Sequence, residues 1–275
     1  MNFNNILIAS DLDGTLFSRN QTVPHRSAEA IEYFKKHGGH FTVSTGRDVN
    51  FIRRRFGFLI DLINAPAVLS NGARVFDFEN NVDLFSSKLD TCALINLMKL
   101  IYEKFPDAPC EISSDMGYFI VNPNETFYKR FSGMSDLVLY GNKPVFSATD
   151  YFRVNIIDKN LERINKVADL ILSTGYNEYF DFVFSESFIF EILPKGANKA
   201  HGISVVRSSV PTVKKVIAVG DYYNDIALLQ TADLPLCPSN AHPDVKKICK
   251  FVLCDCDDGV LADIVEGIEH NRFDI

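Results

Sequence analysis

Ile6-Leu7-Ile8-Ala9-Ser10-Asp11-Leu12-Asp13-Gly14-Thr15 is the stretch from which the fold is read. A short apolar run ends on two carboxylates separated by one leucine, and Gly14 lets the backbone turn away. The run does not alternate, which suits a strand buried on both faces, as in a parallel sheet. Two later segments repeat the design. Phe41-Thr42-Val43-Ser44 ends at Thr45-Gly46-Arg47, and Val216-Ile217-Ala218-Val219 ends at Gly220-Asp221. In open α/β sheets, ligands sit beyond the carboxyl ends of the strands, so these strand ends point to one shared site.

Helical patterns fill the gaps. Pro24 to His37 puts Ala30, Ile31 and Phe34 on one face, with Pro24 in the first turn and Gly38-Gly39 as the stop. Asp225 to Ala232 carries Ile226, Leu228 and Leu229, and Asp257 to Glu269 carries Val260, Leu261, Ile264, Val265 and Ile268. Strand–helix alternation of this kind predicts an α/β fold with a doubly wound, Rossmann-like parallel sheet.

Residues 83–193 read differently, as strand, helix, two strands, helix, strand, helix and hairpin. The helices are expected over Leu89 to Lys104 and Leu161 to Ser173. The hairpin is expected over Phe180 to Phe184 and Phe188 to Leu193. The alternating Phe182, Phe184, Phe188 and Phe190 are expected to be core. This segment is an α+β insertion with its own sheet, which leaves 1–82 and 194–275 as one interrupted domain.

Hydrophobic residues at 47% and charged residues at 23% match an ordinary globular protein. A net charge of −7 argues against a nucleic-acid partner. No apolar stretch approaches the roughly 18 residues that cross a bilayer, and Met1 to Asn5 lacks the basic start of a signal peptide. The expectation is a cytoplasmic protein without membrane contact. Its cysteines are then reduced and mostly core; Cys254 and Cys256 flank Asp255, but no second pair stands at zinc-site spacing.

Asp11 is the candidate nucleophile, because a carboxylate with an ordinary pKa near 3.9 is ionised at neutral pH and its attack on phosphorus gives a hydrolysable acyl phosphate. Asp13 is placed to protonate the leaving alcohol and later to activate water. Gly220-Asp221-Tyr222-Tyr223-Asn224-Asp225 again follows a strand and opens a helix, with Asp221 and Asp225 at i, i+4. Helix capping accounts for one of those acids but not for the cluster. Bringing Asp11, Asp13, Asp221 and Asp225 together sets like charges against each other at about 4 kcal/mol per close pair. Such a pocket needs cations, and Mg²⁺ suits hard oxygen donors. Lys199 adds positive charge, Thr45 offers a hydroxyl, and the turn at Gly46 offers backbone N–H groups to a phosphate.

These residues, in this order, resemble the haloacid dehalogenase superfamily of phosphohydrolases. Asp11 to Thr15 looks like its first motif, Ser44-Thr45-Gly46-Arg47 like the second in its Cof-type (subfamily IIB) form, Lys199 like the third and Gly220 to Asp225 like the fourth. Ser70-Asn71-Gly72-Ala73, Asn240-Ala241-His242-Pro243 and Asp258-Gly259-Val260 are similar to further Cof-type signatures. The resemblance implies that the insertion is a C2-type cap domain that sets substrate specificity. It implies Asp11 as nucleophile and metal ligand, and Asp13 as general acid/base with its carbonyl on Mg²⁺. Asp221 would be a ligand, and Asp225 a ligand or a support of that shell. Thr45, Gly46, Lys199 and Asn224 would serve the phosphoryl group, and Arg47 and Asn71 would face the substrate or cap. The implied substrate is a small phosphorylated metabolite such as a sugar phosphate. A phosphomutase on the same core and a non-catalytic metal- or ligand-binding homologue are the rival readings.

Overall fold

Five parallel strands form the expected sheet, in the spatial order Phe251–Val252, Leu234–Cys237, Lys215–Val219, Ile6–Ser10 and His40–Val43. In this computed structural model, which describes residues 2–273, Ile8 pairs with Ile217 on one side and Phe41 on the other. Every residue of Ile6–Ser10 is buried, as an apolar strand with parallel neighbours on both sides requires. The shared register brings Asp11, Ser44 and Gly220 to the same edge of the sheet, one residue beyond their strands.

The helix His25–Lys36 buries Ile31 and Phe34 and ends on Lys35 and Lys36, which suit the negative end of the helix dipole. It packs against Val260–Glu269. The helix expected from Asp225 begins instead as a 3₁₀ turn, Tyr223–Asp225, followed by Ile226–Thr231. The one expected from Asp257 is likewise a 3₁₀ turn, Cys256–Asp258, and then Val260–Glu269. A core of Leu7, Ala9, Val68, Ile203, Val206, Ala218, Leu228 and neighbours fills the space beside the sheet.

Two compact units divide the chain, Met1–Ser86 with Asn198–Ile275, and Ser87–Ala197. The sequence put the break at 82/83 and 193/194. The strand Val82–Ser86 belongs with the first unit because it pairs with Arg74–Asp77, which pairs in turn with Ala67–Leu69, strands not foreseen from the sequence. Ile189–Pro194 is a strand of the second unit, so that break also lies a few residues later.

The second unit holds six strands in the order Phe180–Glu186, Ile189–Pro194, Tyr151–Ile157, Cys110–Ser114, Gly117–Val121 and Val138–Gly141. Only the last pair is parallel. Helices Thr91–Lys104 and Leu161–Leu172 pack on one face through Leu94, Leu97, Ile101, Ile164, Val167 and Ile171. Phe190 is buried in this core, with Phe182 and Phe184 partly buried against it. Val138–Gly141 is a strand the sequence reading lacked. It is short, lies at the sheet edge and exposes Leu139 and Tyr140, so it carries little burial pattern. Among the described residues, no helix is long and apolar enough to cross a membrane.

Candidate active site

Asp11 follows the strand Ile6–Ser10, and its backbone N–H donates to Val219 O at 2.9 Å. The chain then reverses through Gly14 at φ +77, a left-handed conformation, where a Cβ would stand 2.7 Å from the Asp221 carboxylate. Gly14 thus allows the turn and lets Asp221 approach. Thr15 Oγ1 donates to Asp221 Oδ1 at 3.1 Å, and Asn240 Nδ2 donates to Gly14 O at 2.8 Å. Neither Thr15 nor Asn240 had a role in the sequence reading. Both stood inside quoted motifs, and position in those motifs was the available signal.

Lys199 is the first residue of the helix Lys199–Ser209, which Asn198 caps by accepting from His201 N–H at 2.9 Å. Its side chain is fully buried. Nζ donates to Asp11 Oδ1 at 2.5 Å and to Asp225 Oδ1 at 2.6 Å. Asp225 Oδ2 accepts from the N–H groups of Asp221 at 2.9 Å and Tyr222 at 3.2 Å. Both oxygens of Asp225 are therefore engaged, one on the lysine and one on the loop that carries Asp221.

One carboxylate oxygen from each of Asp11, Asp221 and Asp225 lies within 4.8 Å of the other two. Burial pushes the Asp11 carboxyl up to about 7; Lys199 opposes that rise, while Asp225 and Asp13 add to it. Burial, followed by Asp11 and Asp225, holds Asp221 well above the usual carboxylate range. Burial alone would lower Lys199, but Asp11 and Asp225 outweigh it and hold the ammonium above its ordinary value. Burial is thus the main cause for the two acids, and the neighbouring carboxylates add to it, whereas for Lys199 those carboxylates overcome burial.

Thr45 is buried, with its N–H on Val68 O at 2.9 Å and its Oγ1 accepting from Arg47 N–H at 3.2 Å. The Ser70-Asn71-Gly72 turn runs through positive φ at every residue (49°, 52° and 95°) and is held by Ser70 N–H on Arg47 O and Asn71 N–H on Thr45 O, both 2.9 Å. Asn71 is buried and accepts from Asn224 Nδ2 at 3.2 Å, so it meets Asn224. Arg47 lies against Asp13: Nε donates to Oδ2 at 3.0 Å and Nη2 to Oδ1 at 2.6 Å. Tyr222 and Tyr223 meet edge to face at 5.1 Å, and Tyr223 packs on His242 at 4.6 Å. Cys256 is buried, and the adjacent carboxylates of Asp255 and Asp257 accept from the Arg19 guanidinium, which gives that cluster an organic cation.

Comparison with known proteins fits this arrangement. The profile of the haloacid dehalogenase-like hydrolases matches residues 8–265. MG265 of Mycoplasma genitalium is 28% identical over 264 residues, covering 92% of this chain and 93% of its own. The HMP-PP phosphatase of Yersinia pestis is 25% identical, covering 88% and 86%. Among solved structures, a haloacid dehalogenase-like hydrolase from B. subtilis superposes with a TM-score of 0.81 at 20% identity, over 94% of this chain and 98% of the other. The subclass IIB sugar phosphatase BT4131 gives 0.77 at 22% identity, over 97% and 98%. The chain belongs to the haloacid dehalogenase-like hydrolase family.

Proposed function

We propose that the protein is a Mg²⁺-dependent phosphatase that hydrolyses a small phosphomonoester through an aspartyl phosphate on Asp11. One observation carries the reading: Asp11, from the N-terminal strand, meets Lys199, Asp221 and Asp225, from far along the chain, in a pocket short of positive charge. The names of the relatives agree with it, since HMP-PP phosphatase and BT4131 are phosphatases.

The donors fit a hard divalent cation. They are oxygens, one from each of Asp11, Asp221 and Asp225 lies within 4.8 Å of the others, and burial together with the neighbouring acids holds the Asp11 and Asp221 carboxyls above their ordinary values. Asp11, Asp221 and the Asp13 carbonyl would hold Mg²⁺. Asp225, with both oxygens engaged, supports that shell instead of completing it. Bound there, the ion supplies charge neutralisation and orientation to a phosphoryl group.

The chain's own residues account for the rest. Lys199 fixes Asp11 through Oδ1 and leaves Oδ2 to attack. The Oδ2–P bond forms as the P–O bond to the leaving group breaks, and Asp13 gives that oxygen its proton. Asp13 then takes a proton from water as it attacks phosphorus and frees Asp11. Thr45 accepts from Arg47 N–H, which leaves its hydroxyl hydrogen for a phosphate oxygen. The Gly46 turn and Asn224 complete the phosphate cradle. The unit Ser87–Ala197 acts as the specificity-setting cap domain, and the substrate is a sugar phosphate or related metabolite.

Phosphate release across a panel of sugar, nucleotide and cofactor phosphates tests this reading. Turnover with Mg²⁺ should stop with EDTA and return when Mg²⁺ is restored. Unchanged turnover in EDTA contradicts the metal, and no release from any ester contradicts the phosphatase.

A further inference from the structure

The ion pair between Arg47 and Asp13 has no part in the chemistry above. Arg47 grips both oxygens of the Asp13 carboxylate, and Gln21 Nε2 donates to Oδ1 as well, at 3.1 Å. Arg47 Nη2 also donates to Gln21 Oε1 at 3.2 Å, which closes a ring of three side chains. The guanidinium is itself held. Its Cζ lies 4.7 Å from the Phe51 ring centroid and 4.8 Å from that of Phe56, and the side chain is 9% exposed against 35% for Asp13. Gln21 sits at φ +60 in a turn closed by Gln21 N–H on Ser18 O and Ser18 N–H on Thr22 O, both 2.9 Å. The backbone of Arg47 meanwhile engages Thr45 Oγ1 and Ser70 N–H.

A carboxylate on a turn has two rotatable bonds and no preferred direction of its own. A planar fork that donates twice fixes its plane as well as its place, which a lysine ammonium cannot do. Aromatic rings beside the guanidinium hold that fork in turn. Proton transfer to a leaving oxygen needs a heavy-atom approach of about 2.6–3.2 Å, and an error of about 1 Å costs about a hundredfold in rate.

We infer that Arg47, assisted by Gln21, is the positioning residue for Asp13: when Asp13 takes up its proton, Oδ1 keeps its bonds from Arg47 Nη2 and Gln21 while the Oδ2 hydroxyl turns from Nε toward the leaving oxygen, and Arg47 links this acid to the phosphate-binding Thr45. The inference rests on the phosphatase reading above. It assigns Arg47 to aiming the proton donor, not to binding substrate.

The test compares two esters. p-Nitrophenolate leaves without a proton, whereas the alkoxide of a hexose phosphate needs one. kcat/KM reports the steps up to loss of the leaving group, so it isolates the acid. Arg47→Lys should lower kcat/KM on the hexose phosphate by about tenfold to a hundredfold and on p-nitrophenyl phosphate by about threefold or less. In an Asp13→Asn background the same substitution should add nothing, because the residues act as one unit. Gln21 is exposed, so Gln21→Ala should fold normally and show the same leaving-group dependence at about threefold to tenfold. It carries the test if Arg47→Lys does not fold. Equal losses on both esters, additive losses with Asp13→Asn, or no loss in either variant overturn the inference while leaving the phosphatase intact. The alkyl ester is the best substrate of the panel above, and a wild type inactive on every ester of that panel overturns the phosphatase reading itself.

Discussion

Asp11 is placed at a cost to stability that its chemistry explains. Its carboxyl rises from 3.8 to about 7 because burial and the neighbouring acids outweigh Lys199. Below 3.8 the group is protonated in folded and unfolded chains alike, and it favours neither. As pH climbs toward 7 the unfolded chain ionises while the folded one resists, so stability falls; above 7 the penalty is complete. In EDTA, Asp11→Asn should therefore raise unfolding stability by about 1–3 kcal/mol at pH 8 and leave it nearly unchanged near pH 4, as read by urea unfolding at the two pH values. A destabilised variant at pH 8 would contradict this electrostatic account. Asp11, Asp13 and Asp221 were legible as site candidates because apolar runs fixed them at strand ends. The partner of Arg47 was not legible, since it depends on where the Gln21 turn folds back, and no local pattern encodes that contact. The double engagement of Asp225 was half legible: capping was foreseen, but the lysine on its other oxygen was not.

Helix Lys199–Ser209 shows how an element delivers a side chain. Its first residue is the buried lysine, so the cap at Asn198 sets where Nζ points. The approach is tight, because a Cβ on Gly72, at φ +95, would stand 2.0 Å from Asn198 O. Asn198→Ala should cost about 1 kcal/mol of stability and should lower kcat by about tenfold through displacement of Lys199. Thermal unfolding and steady-state rates on one preparation check both. A stability loss without a rate loss would mean that Gly72 and packing alone hold the lysine. The sequence revealed this helix only as a lysine in a family motif. The consecutive positive φ values of Ser70 and Asn71 were not legible, because such backbone is imposed by the bonds their N–H groups donate to the Arg47 and Thr45 carbonyls.

Across the whole molecule, each unit keeps its own core and its own buried charge. In the second unit, Glu111 accepts from Arg153 at 3.0 Å and Asn155 at 3.2 Å and pairs with Arg130 at 3.2 Å, all on the sheet face opposite the two helices. Burial would raise the Glu111 carboxyl, but Arg130 and Arg153 hold it below its ordinary value. Its contribution is thus complete above the unfolded carboxylate pKa and is lost as pH falls through the depressed folded value. Glu111→Gln should cost about 3–5 kcal/mol at neutral pH and less in acid, as read by urea unfolding; a neutral effect at pH 7 would mean that Arg153 is served well enough by Glu191. Alternation at Cys110-Glu111-Ile112-Ser113 marks a two-faced strand, but it does not reveal that the polar face is buried. The doubly wound core was legible because its strands are continuous apolar runs, whereas Val138–Gly141 was not, being short and exposed at an edge. The most direct test of the whole account is phosphate release in Mg²⁺ by wild type and Asp11→Asn side by side, using whichever phosphomonoester the wild type hydrolyses best. The account predicts steady turnover by the wild type and background release by the variant, with its cooperative unfolding transition retained. Wild-type turnover by a folded Asp11→Asn protein would contradict it.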